Sequence, residues 1–97
     1  MKKADIKNLI DSNCLQAISI MNTSDSVYSQ RHADMVYNAL DYLRDILTDK
    51  GMREFKKVLK DFNVIDYLHD KTIRPCTYYE EEKLKRCFEN FKTYVLK

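Results

Sequence analysis

The chain has 97 residues, 44% of them hydrophobic and 33% charged, which suits a single domain over residues 1–97 with one apolar core. It contains one glycine and one proline, so the turn residues of a β sandwich or barrel are missing, and a glycine-rich phosphate loop is excluded as well. The 17 basic and 15 acidic side chains leave a net charge of +2, which does not by itself indicate a nucleic acid partner. The composition therefore predicts a small domain of mostly helical structure.

The first predicted helix covers about residues 4–21, because apolar side chains recur there at steps of three and four residues. Its apolar face carries Ile6, Leu9, Ile10, Cys14, Ala17, Ile18 and Met21. Residues 22–26 follow with the sequence Asn-Thr-Ser-Asp-Ser, and short polar side chains of this kind are typical of turns and helix N-caps. We expect one helix to end in this segment and another to begin.

The second predicted helix covers about residues 25–49, and its apolar face carries Tyr28, Met35, Val36, Ala39, Leu40, Leu43, Ile46 and Leu47. His32 lies on the same face, and we interpret it as a partly buried, hydrogen-bonded residue near the helix start. At about 100° per residue, Asp34, Asp41 and Asp45 lie together on one flank. Gly51 follows, and a glycine fits the left-handed position that closes a helix.

The third predicted helix covers about residues 52–70 and breaks near Asn63. Before the break, four cations form a basic stripe opposite an apolar face, and the stripe consists of Arg53, Lys56, Lys57 and Lys60. Val64 and Leu68 would project toward the basic side if the helix continued straight. A kink at Asn63, a residue type that tolerates left-handed geometry, removes this conflict and leaves a short helix over about 64–70.

The last predicted helix covers about residues 78–96, after a loop over 71–77 that contains Pro75. Thr77 and Glu80 match the spacing of a capping box, in which each residue satisfies a free backbone N–H group of the other. The acidic first turn also suits the positive end of the helix dipole. The apolar face of this helix carries Leu84, Cys87, Phe88, Phe91 and Val95.

Together these elements predict an all-α fold, a small bundle of four main helices with the third one broken. Tyr28 suits the core of this bundle, and its central residues should be Leu9, Ile18, Val36, Leu40, Leu43, Phe55, Leu59, Phe62, Phe88 and Phe91.

No catalytic, cofactor-binding or metal-binding residue is predicted. His69 lies near a helix end, where a cation is favoured, and needs no further role. Cys14 and Cys87 lie on apolar faces and are interpreted as core residues. Cys76 lies in the predicted loop near basic residues, which lower the pKa of a thiol, but no base is placed beside it.

The compartment is predicted from the cysteines and from the N-terminus. Three cysteines without a CxxC pair or a zinc-finger pattern indicate reduced thiols rather than a disulfide framework. No apolar stretch approaches the roughly 18 residues of a membrane span, and polar residues interrupt the pattern that a signal peptide would need. We therefore expect the protein in the cytoplasm of the cell that produces it or of an infected cell, with no membrane partner.

Two surface features indicate binding rather than chemistry. One is the basic stripe, and the other is a set of tyrosines predicted to lie off the apolar centre or at a helix start: Tyr37, Tyr42, Tyr78 and Tyr79. Tyrosine is enriched at protein interfaces, because it buries a large rigid ring while keeping a polar tip. Two alternatives stay open: the stripe is a solvated face or pairs with the acidic flank of the second helix, and the tyrosines cover the core edge.

The main functional hypothesis is a small non-catalytic module that docks on a larger protein, one with an acidic surface. Inhibitors, immunity-type proteins, adaptors and viral or phage antagonists of host machinery act in this way, and a homodimer is compatible with it. The alternative is a nucleic-acid-binding regulator, in which the second and third helices form a helix-turn-helix with the basic stripe on the duplex. An enzyme is disfavoured, because no acid–base or nucleophile pair is visible and a chain of this size has little room for a deep pocket.

Overall fold

The computed structural model describes residues 2–71 and 77–97, with Lys71 described in its backbone only. Within these ranges the chain forms no strand and five α-helices, which are α1 (Lys3–Thr23), α2 (Val27–Lys50), α3 (Met52–Asp61), α4 (Val64–Lys71) and α5 (Tyr78–Leu96). The all-α prediction is confirmed. The helix count differs, because the third predicted helix is two separate helices. Among the described residues, no helix combines the length and the apolar character needed to cross a bilayer.

Helices α1 and α2 form a hairpin whose connection is the polar segment predicted from the sequence. The backbone N–H of Ser24 still donates to the carbonyl of Ile20 at 2.9 Å, so α1 continues slightly beyond its predicted end. Ser26 is the N-cap of α2, and its hydroxyl accepts a hydrogen bond from the backbone N–H of Ser29 at 3.3 Å. The cap satisfies one of the free donors at the start of the helix, as expected for serine.

A single glycine connects α2 to α3. Gly51 has φ of 88° and ψ of 176°. The predicted left-handed helical conformation is wrong, because ψ places Gly51 in the extended mirror-image region, although φ is positive in both. This region is essentially reserved for glycine. A Cβ atom at residue 51 would have nothing within 4 Å, so the backbone alone demands glycine here.

The break between α3 and α4 lies where the sequence predicts it, but its cause is different. No described residue other than glycine has positive φ, so Asn63 does not adopt the left-handed geometry that we expected. Instead its side-chain Oδ1 accepts hydrogen bonds from the backbone N–H groups of Ile65 at 3.0 Å and Asp66 at 3.2 Å. Asn63 thus caps α4, and the change of direction buries Val64 and Leu68 in the core.

The centre of the core agrees with the prediction, but some residues predicted to be buried lie at its edge or on the surface. Six of the ten predicted central residues are buried, and these are Leu40, Leu43, Phe55, Leu59, Phe62 and Phe88. Leu9, Val36 and Phe91 are half-buried. Ile18 and Cys87 are exposed, and Tyr28 is 79% exposed. These predictions are wrong because the apolar faces of α1, α2 and α5 extend around each helix farther than their neighbours reach.

The start of α5 shows the predicted capping box. The hydroxyl of Thr77 accepts from the backbone N–H of Glu80 at 3.2 Å, and the backbone N–H of Thr77 donates to Oε1 of Glu80 at 3.0 Å. The rest of the loop predicted over 71–77, including Cys76, lies outside the described residues.

We expect Thr77→Ala to lower the free energy of unfolding by about 1 kcal/mol, because the side-chain acceptor for the Glu80 amide is lost. Thr77→Ser keeps a hydroxyl in the same place and should be nearly silent. Chemical denaturation of the two variants beside the parent protein measures both effects. Equal losses in the two variants would contradict a role for the threonine hydroxyl in capping α5.

Candidate functional site

The basic stripe occupies the solvent-facing side of α3. Its four members, Arg53, Lys56, Lys57 and Lys60, are all exposed, whereas Phe55 and Leu59 on the opposite side of the same helix are fully buried. None of the four cations forms an ion pair with a residue that the structure describes. The two acidic residues of α3, Glu54 and Asp61, lie at the edge of the stripe. The stripe is therefore a patch of four positive charges that form no ion pair with a described residue.

The acidic flank of α2 does not neutralise the stripe within the chain. Asp41 pairs with Arg44 one turn farther along α2, and the same guanidinium donates to Oδ1 of Asp11 on α1 at 3.0 Å. The hydrogen bond to Asp11 is the main reason why the pKa of Arg44 is raised. Asp34 and Asp45 are exposed and form no ion pair with a described residue. Asp41 thus helps to hold the guanidinium of Arg44, which in turn ties α2 to α1 through Asp11.

The four tyrosines singled out from the sequence divide into two kinds. Tyr78 and Tyr79 open α5 and are 79% and 77% exposed. Tyr37 and Tyr42 are half-buried and pack against the core. The ring of Tyr42 lies 4.7 Å from that of Tyr67, between centroids, and 6.0 Å from that of Phe62. Of these four tyrosines, the α5 pair is therefore the one that offers largely exposed rings to a partner.

The described histidines and cysteines lie apart from one another rather than in one cluster. Within residues 2–71 and 77–97, no group of three His, Cys, Asp or Glu side chains is placed to hold a metal ion. His69 is exposed, with its Nε2 at 3.7 Å from Oε1 of Glu81. Cys14 is buried, and this burial is the main cause that raises the pKa of its thiol.

His32 is half-buried, as predicted, but its hydrogen bonding differs. Its Nδ1 atom is buried and has no hydrogen-bond partner among the described residues. Burial is the main cause that lowers the pKa of this imidazole, and the charge of Lys83 adds to the effect while that of Glu80 opposes it. A neutral ring is therefore favoured at this position.

Glu80 has a second role that the sequence did not reveal. Besides capping α5, its carboxylate lies within the interface with α2, where its Oε2 is 2.7 Å from Nε of Arg31. The residue is 8% exposed. Burial alone would raise the pKa of Glu80, but the hydrogen bonds with Thr77 and the charge of Arg31 outweigh it, so the pKa is lowered. The spacing of Thr77 and Glu80 predicted the cap, whereas no local signal points to Arg31.

Another feature that the sequence analysis missed is an apolar groove between α1 and α5, which we call the α1–α5 groove. It has a volume of about 340 Å³, with α2 as its floor. Its mostly apolar lining includes Leu9, Asn13, Val36, Leu40, Phe91 and Tyr94. Cys87 lies in the same wall, which explains why an apolar-face cysteine is exposed. The sequence does show apolar faces on the three helices that line the groove. Periodicity does not tell which part of such a face is left uncovered by neighbouring helices.

Comparison with known proteins finds no relative for this chain. No protein-family model matches it, and no curated protein or solved structure matches it either.

Proposed function

We propose that this protein is a small protein-binding module that docks on a larger partner through the basic stripe of α3. The observation that carries the proposal is the set of four exposed cations on one helical face, none paired with a described residue. The partner surface is acidic, because it has to neutralise these charges. The protein acts by occupying that surface, as inhibitors, immunity-type proteins and adaptors do.

The stripe has a cost in the free protein. Arg53 and Lys57, and likewise Lys56 and Lys60, are four residues apart, so their charges lie next to each other on the helix surface. Such like-charge pairs destabilise a helix by about 0.2–0.5 kcal/mol each, and α3 has only 10 residues. An acidic partner removes this repulsion on binding. Its field also steers the encounter, which makes association fast and dependent on salt.

Three features favour a protein over a nucleic acid as the partner. A helix-turn-helix needs a turn of about three or four residues, whereas Gly51 alone joins α2 to α3. Arg and Lys read guanine edges, whereas Asn and Gln read adenine edges, and the stripe contains neither Asn nor Gln. The exposed rings of Tyr78 and Tyr79 add the kind of side chain that is enriched at protein interfaces. A nucleic-acid-binding regulator is the alternative.

We expect the double reversal Lys56→Glu/Lys57→Glu to slow association with the partner about tenfold and to remove most of its salt dependence, because the steering field is lost. The partner is first captured from the native or infected cell with immobilised wild-type protein and identified by mass spectrometry. Association rate constants are then measured at several salt concentrations for both proteins. The helical circular dichroism and melting temperature of the variant should stay close to those of the parent.

The matched control is Lys7→Glu/Lys50→Glu, which changes the net charge by the same amount at two exposed lysines outside the stripe. This control should bind at nearly the parental rate. If both double variants slow association equally, net charge rather than the stripe is responsible, and the proposal fails. If the stripe reversal instead abolishes a steeply salt-dependent affinity for a random-sequence DNA duplex, the nucleic acid alternative replaces it.

A further inference from the structure

We propose that the α1–α5 groove binds an amphipathic α-helix of a partner protein, one whose apolar stripe is flanked by acidic residues on the side that faces α5. The proposal concerns a surface separate from the basic stripe and does not depend on it.

The shape of the groove is that of a missing helix in a bundle. Helices α1 and α5 both pack on α2 and leave an open trough between them. The lining residues recur at helical spacing: Val36 and Leu40 lie one turn apart on the floor, and Leu9 and Asn13 one turn apart on one wall. Rows of side chains four residues apart form the ridges against which a further helix packs its own side chains.

The polarity of the groove favours a helix over an extended peptide. An extended segment would bury backbone N–H and C=O groups, and each of these needs a partner. On the wall, one N–H group of the Asn13 side-chain amide is already used, because it donates to the carbonyl of Leu9 at 2.9 Å. The other side-chain amide of the lining is that of Asn90, which is exposed at the rim. A helix satisfies its own backbone groups, so it can fill an apolar trough with side chains alone.

The charge at the rims sets the chemistry of this helix. On α5, Lys83 lies four residues before Cys87, Arg86 four before Asn90, and Lys97 three after Tyr94. These three cations therefore lie on the groove side of α5. All three are exposed, and none forms an ion pair with a described residue.

The opposite rim, on α1, is almost without charge. Its members Asn8 and Ser12 line the continuation of the groove beside Tyr94. The carboxylate on this rim belongs to Asp5 in the first turn of α1, where it accepts a hydrogen bond from the backbone N–H of Lys2. The groove thus has one basic rim and one nearly neutral rim. Acidic residues on the α5 side of the bound helix give charge complementarity, and they also fix the orientation of the helix about its own axis.

Two synthetic stapled helical peptides with the same leucine stripe test the proposal, one with glutamates and one with lysines along a single flank. Fluorescence anisotropy should show the glutamate peptide binding about tenfold more tightly, since three rim-exposed ion pairs contribute a few-fold each at most. The triple variant Lys83→Glu/Arg86→Glu/Lys97→Glu should invert this preference. Tyr94→Ala, at a wall residue that is 58% exposed, should weaken both peptides without unfolding the protein.

A second readout locates the peptide. Alkylation of Cys87, which lies in the groove wall, should slow when the glutamate peptide is bound, and the buried Cys14 serves as the internal reference. Lys56→Glu/Lys57→Glu, the reversal in the basic stripe, should leave binding of the glutamate peptide unchanged. The experiment therefore distinguishes a failure of the groove proposal from a failure of the proposed docking through the basic stripe.

Three outcomes would overturn the proposal. The first is the absence of groove binding, seen either as no binding of the two peptides or as equal binding that Tyr94→Ala does not weaken. The second is that alkylation of Cys87 is not slowed by a bound peptide. The third is that the protein forms a dimer in solution which Tyr94→Glu dissociates, because the groove is then occupied by a second copy of the chain.

Discussion

Replacing Phe88 with Ala is expected to lower the free energy of unfolding by about 3–5 kcal/mol, a large part of the roughly 5–15 kcal/mol of a typical domain. The ring is 2% exposed. Its centroid lies 5.9 Å from that of Phe62 and 6.4 Å from that of Phe91. The substitution leaves a cavity where α5 meets the rest of the core, and close-packed neighbours collapse into such a cavity only in part.

Equilibrium denaturation with urea measures this loss as a fall in the midpoint of unfolding. Tyr79→Ala is the matched control, because it removes an aromatic ring of similar size from the same helix at a position that is 77% exposed. Its cost should stay within about 0.5 kcal/mol. A Phe88→Ala protein with the same midpoint as the control would show that α5 does not pack on the core through this ring.

The Glu80→Gln substitution is expected to lower the free energy of unfolding at neutral pH by about 1.5–3 kcal/mol, the range for hydrogen bonds that involve charged groups. Glutamine keeps an oxygen that can accept from the Thr77 amide. It removes the negative charge 2.7 Å from Arg31 and so breaks the ion pair that joins α2 to α5. Denaturation measured beside Thr77→Ala separates the ion pair from the cap.

The cost of Glu80→Gln should depend on pH in a definite direction. The folded-state pKa of Glu80 is below its ordinary value of 4.5. Its charge therefore contributes stability that is complete above about pH 4.5 and is lost as the pH falls through the lower pKa of the folded state. The difference between parent and variant should shrink over this acidic range, because the parent loses a charge that the variant never has. A difference that stays constant between neutral and strongly acidic pH would contradict a contribution from the carboxylate charge.

The two candidate sites, the basic stripe and the α1–α5 groove, differ in how readily the sequence alone reveals them. The basic stripe was visible because four cations at helical spacing on one short helix, α3, necessarily share a face. The α1–α5 groove was not, because its lining comes from residues as far apart as Leu9 and Tyr94. The apolar faces that supply it have the same periodicity whether a neighbour covers them or not.

Sequence alone determined the helices and, to within two residues, their ends. The limits of α5 match the prediction, and the break between α3 and α4 lies where the apolar pattern changes. These are local decisions, because a cap such as that of Thr77 on Glu80 is made between residues three apart. Even so, the predicted left-handed Asn63 was wrong, since residue preference marks a break without specifying its hydrogen bonds.

Tertiary structure alone decided which apolar residues are covered and which charged groups meet. Ile18 and Ile10 both lie on the predicted apolar face of α1, yet the first is 37% exposed and the second is fully buried. Arg31 and Glu80 are 49 positions apart, and only the packing of α5 on α2 brings them within 2.7 Å. Helical periodicity gives each residue a direction around its own helix. The position of the neighbouring helices, which the packing of the whole core sets, then determines whether that direction leads to another side chain or to water.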